Sequence, residues 1–96
     1  MRHQRHFEID GQIAQREAMQ ISRMICDLNR TVQVIDMEIK AEEVRSRVHD
    51  LSNFAYPFMA KTMVARRENL KVTIAALEQR LTEIDPAQLE EIATAA

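Results

Sequence analysis

Apolar side chains recur along this chain at steps of four and three. The first run is Ile21, Ile25, Leu28, Val32, Ile35 and Ile39. That spacing puts all six on one stripe of an α-helix, the seam of a coiled coil. Traced backwards, the stripe meets Ala18, Ala14, Gly11 and Phe7 and fades; traced forwards, it breaks on Glu42. A second run, Met37, Ala41, Val44, Val48 and Leu51, then takes over. The two runs are offset by two residues, about 200° around a helix, so one neighbouring helix cannot cover both. The pattern predicts two apolar neighbours for this helix near Val32 to Ala41, one of them supplied by another molecule. Thr31-Val32-Gln33-Val34 alternates as a strand does. Heptads on both sides and the lack of a pairing segment favour helix there.

The pattern stops at Asn53-Phe54-Ala55-Tyr56-Pro57. Ser52 and Asn53 favour leaving a helix because their side chains compete for backbone hydrogen bonds. Pro57 has no amide hydrogen and is tolerated only in a first helical turn, and Tyr56 before it is pushed towards extended geometry. The expected result is a bend plugged by its own rings, Phe54, Tyr56 and Phe58. A third heptad run follows: Tyr56, Ala60, Met63, Arg67, Leu70, Ile74, Leu77, Leu81 and Ile84. Its one misfit, Arg67, is expected to pin the register by pairing with Glu42 or Glu38.

These signals predict an all-α fold: an antiparallel two-helix hairpin, or coiled coil, with a short C-terminal helical tail. It forms a single domain over residues 1–96. Helix 1 is expected over about 10–52, the turn at about 53–56, helix 2 over about 57–84 and the tail over about 85–96. Gly11, the only glycine, is read near the helix start because it weakens a helix placed across it. Asp85 and Pro86 are read as the cap and first position of the tail, which has Leu89 and Ile92 as its sizeable apolar side chains. Helix 2 ends well short of the start of helix 1, so Ile9, Ile13 and Met19 lack an intrachain cover. Dimerisation, or docking on another protein, is the expected remedy.

Composition narrows the function classes. Net charge is −2, so overall electrostatics favours neither nucleic acid nor an acidic membrane as partner. Helix 2 carries more bases than acids and helix 1 the reverse, a balance that attracts one to the other. No run approaches the roughly 18 consecutive apolar residues of a membrane span, and the N-terminus lacks a signal-peptide core. Membrane insertion is not expected, and a cytoplasmic location is. Cys26 is the only cysteine, which excludes an internal disulfide and fits a reducing compartment. It reads as a small packing residue. His49 beside Asp50 lacks a nucleophile in reach, and Glu42 and Glu43 point in different directions on a helix. His3 and His6 have no further metal-ligand pattern around them. No catalytic residue, metal site or cofactor is expected, and the chain reads as a non-enzyme. Met19, Met24 and Met59 sit off the seams and suit an adaptable partner-facing surface.

One set of residues goes beyond architecture. Glu42-Glu43-x-Arg45, Asp50, Phe54-Ala55-Tyr56-Pro57-x-x-Ala60, Arg66-Arg67-x-Asn69-Leu70, Ile74 and Leu77 together resemble the central hairpin of FliJ-like flagellar export proteins. The versions found in alphaproteobacteria are the nearest likeness, and it covers about residues 7 to 84. The resemblance implies a small soluble component of the flagellar type III export apparatus, peripheral at the flagellar base. It implies an antiparallel coiled coil like the central stalk of rotary ATPases. That coiled coil contacts the export ATPase, the export gate and export chaperones, and performs no chemistry. Family members carry a long charged C-terminal helix, whereas this sequence ends in a short acidic tail, which implies a shortened relative with an adaptor role. The alternative is a dimeric coiled-coil adaptor or regulatory protein unrelated to export. It would bind a partner helix or a second copy through the Ile21, Ile25, Leu28, Val32, Ile35 and Ile39 seam.

Overall fold

The computed structural model describes the backbone of residues 2–84 and the side chains of residues 9–84. Two helices make up the fold: α1, Arg2–Ser46, and α2, Phe58–Glu83. They form an all-α hairpin, and the described residues contain no strand. Among them, no helix is long and apolar enough to cross a membrane. The expected tail with Asp85, Pro86, Leu89 and Ile92 lies outside the described residues, as do the side chains of His3, His6 and Phe7.

Both ends of α1 differ from the pattern-based expectation. The helix begins at Arg2 and runs straight through Gly11, whose φ is not positive. A mid-helix glycine lowers helix stability by about 1 kcal/mol relative to alanine, which a helix of 45 residues absorbs. At the other end α1 stops at Ser46, before Val48 and Leu51. Arg47 turns the backbone left-handed at φ 61°, the conformation that commonly closes a helix and is usually held by glycine. Ser46 Oγ completes the cap: it donates to the Glu43 carbonyl at 3.2 Å and accepts from Val48 N–H at 3.3 Å. The Thr31–Val34 segment is helical. Thr31 Oγ1 donates back to the Asp27 carbonyl at 3.1 Å, the local bond that reconciles a β-branched hydroxyl residue with a helix.

The contacts divide the chain into two compact units, residues 1–25 with 76–96 and residues 26–75. In the first, Ala14, Ile21 and Ile84 form a buried cluster, with Ala18, Ile25, Leu77 and Leu81 packed against it. Arg80 Nε donates across to Glu17 Oε1 at 2.8 Å, and this bond holds the Arg80 guanidinium above its ordinary pKa. Ile9, Ile13, Met19 and Met24 are exposed in this unit.

In the second unit Val32, Ile35 and Ile39 of α1 are buried, as are Tyr56, Ala60 and Ile74. Leu28 is half-buried, and so are Met63, Arg67 and Leu70. Every described member of the first and third heptad runs is therefore removed from solvent, at least in part. Ile21, Ile25, Leu28, Val32, Ile35 and Ile39, the run expected to serve as a partner or dimer seam, are buried or half-buried within the single chain. The second run meets the opposite fate. Met37 is 70% exposed and Val44 69%, with Ala41 and Val34 exposed beside them. Its last members leave the helix: Val48 is half-buried in the turn and Leu51 lies beside Tyr56.

Candidate interaction site at the turn

The turn is two β-turns in succession, each opened by a residue whose side chain stabilises it. Asn53 N–H donates to the Asp50 carbonyl at 3.0 Å, and Tyr56 N–H to the Asn53 carbonyl at 3.0 Å. Asp50 Oδ1 accepts from Ser52 N–H at 3.0 Å and from Ser52 Oγ at 2.7 Å. Those bonds hold the Asp50 carboxyl below its usual pKa, the side-chain bond being the larger cause. Asn53 Oδ1 accepts from Ala55 N–H at 2.9 Å. Such Asx turns are why Asp and Asn open so many loops. Lys61 N–H then donates to the Pro57 carbonyl at 3.0 Å, which places Pro57 immediately before α2, where its missing amide hydrogen does no harm.

Behind the turn, four side chains lock the two helices together. The Tyr56 ring is buried and its hydroxyl donates to Glu43 Oε2 at 2.9 Å. Burial foremost, and then this bond, raise the Tyr56 pKa. Arg67 Nη1 donates to Asp36 Oδ1 at 2.7 Å, and Arg67 Nε to Glu68 Oε1 at 3.1 Å. The Asp36 bond is the chief cause of a raised Arg67 pKa. Arg67 therefore bridges the helices from its heptad position, but its partner is Asp36, not Glu42. Glu42 pairs with Arg45 on its own helix at 2.7 Å, and that bond lowers its pKa. The expected pairing assumed a four-residue turn. The observed non-helical stretch starts at Arg47 and ends at Pro57, so the strand of residues opposite Arg67 slides towards the N-terminus of α1. Asp36 and Glu43 thus pair with residues from beyond α1.

Of the three turn residues singled out by sequence, only Tyr56 is a plug. Phe54 is 101% exposed and Phe58 80%, and Met59 and Leu51 are exposed with them. Pro57 is half-buried. The reason is positional. Phe54 sits at the second position of the Asn53–Tyr56 turn, on its outer side, and Phe58 opens α2 on the face away from buried Ala60. Two signals in the sequence separate Tyr56 from these rings: it stands on the third heptad run, and its hydroxyl can satisfy Glu43 from within.

Among the described residues, the recess beside the turn is small. Asp36, Ile39, Lys40, Glu43, Leu51, Tyr56, Val64 and Arg67 line an open recess of about 200 Å³, below the roughly 300–1,000 Å³ of ligand pockets. His49 is exposed and its Nδ1 lies 3.9 Å from Glu43 Oε1, too far for a hydrogen bond. Cys26 is exposed rather than packed. Among the described residues, no three His, Cys, Asp or Glu side chains converge to hold a metal ion. The site thus defines a helical hairpin that presents aromatic side chains on a hydrogen-bonded turn. The chain matches no protein-family profile, no curated protein and no solved structure.

Proposed function

We propose that this chain is a non-enzymatic interaction protein of the flagellar type III export apparatus, a FliJ-like coiled coil that binds the export ATPase, gate or chaperones. One observation carries the interaction reading: Phe54 on the hydrogen-bonded turn and Phe58 at the start of α2 both stand in solvent. Burying an aromatic side chain is worth about 1.5–3 kcal/mol, so an uncovered pair signals a surface that another molecule covers. The export assignment rests on the likeness of the turn and Arg-Arg block to that family. Deletion of the gene in its own host tests it, scored for swimming and for flagellin in the medium. Loss of both, restored by the wild-type gene, is the expected result; normal motility and secretion would overturn the assignment.

The second reading is an adaptor that binds a partner helix outside export. The exposed stripe of Val34, Met37, Ala41 and Val44 on α1 favours it, because heptad spacing on a solvent face suits a third helix. With the Ile21–Ile39 run buried or half-buried within the single chain, any such partner, a second copy included, would use this stripe instead.

A further inference from the structure

We draw no further inference here: the strongest candidate, the outward apolar stripe of Val34, Met37, Ala41 and Val44 on α1, carries nothing because nothing in the structure shows what covers it.

Discussion

Arg47 holds a backbone conformation that glycine adopts more easily. A left-handed residue with a Cβ costs about 1–2 kcal/mol, and this one ends α1 in place of the usual glycine. Arg47→Gly should therefore raise stability in urea unfolding by about 0.5–1 kcal/mol, after the extra chain entropy of glycine is set against the relief. A β-branched residue there, as in Arg47→Val, should lower it. Tyr56 makes the second residue-scale prediction. Its folded pKa lies above the ordinary value near 10, because burial and the Glu43 carboxylate disfavour the phenolate. The neutral form is the one that fits the fold. Its contribution is complete below about pH 10 and is lost as pH rises through the folded value. Tyr56→Phe should lose about 1 kcal/mol at neutral pH. Stability measured from about pH 9 to 11 should then fall less steeply in the variant than in the parent. Equal slopes would show that Tyr56 is not the group responsible. Neither feature was legible in the sequence: Arg47 carries no helix-stop signal, and the hydrogen-bond partner of Tyr56 comes from thirteen residues away.

At the scale of elements, two stripes of α1 with the same spacing and similar residues have opposite environments. Ile35 and Ile39 are buried, whereas Met37 and Val44 stand in solvent. Ile35→Ala or Ile39→Ala should cost about 2–4 kcal/mol, the range for truncating a buried aliphatic side chain. Met37→Ala or Val44→Ala should stay within about 0.5 kcal/mol. Chemical denaturation of the four variants distinguishes the stripes directly; equal losses would place α2 on the wrong face. The sequence showed that two faces existed and that one neighbour could not cover both. It could not say which one α2 would take, because that depends on where α1 ends and how the turn aims the returning helix. The same slip explains Arg67. Its role as a cross-helix pin was legible from a charge in a heptad core position, but its partner was not, because the turn proved longer than its proline suggested. Arg67→Ala should cost about 0.5–1 kcal/mol, as expected for a partly exposed ion pair. It should also disperse the distances between spin labels on the two helices of the 26–75 unit.

For the whole molecule, the Ile21–Ile39 seam is buried or half-buried within the single chain. Leu28 is half-buried on it. Leu28→Arg should lower stability by about 2–3 kcal/mol by placing a charge where an apolar side chain packs. Its helicity should melt earlier in circular dichroism. If that substitution instead halved the mass in light scattering and left the melting curve unchanged, the seam would be an interface between copies. The apolar surfaces left exposed are the Val34–Val44 stripe and, in the other unit, Ile9, Ile13, Met19 and Met24.

The sequence by itself determined that this is an all-α hairpin. Heptad spacing is a local property, and Ser52 to Pro57 rule out one continuous helix whatever surrounds them, although α1 itself ends earlier, at Ser46. It also determined which side chains of α2 face inward, since that helix has one apolar stripe and so one choice. The tertiary structure alone decided which stripe of α1 is interior, that Asp36 meets Arg67, and that Phe54 and Phe58 stay wet. Each of these is set by the path of the turn. A single left-handed residue and two Asx turns fix that path, and a shift of a few residues there exchanges interior for surface along the helix that precedes it.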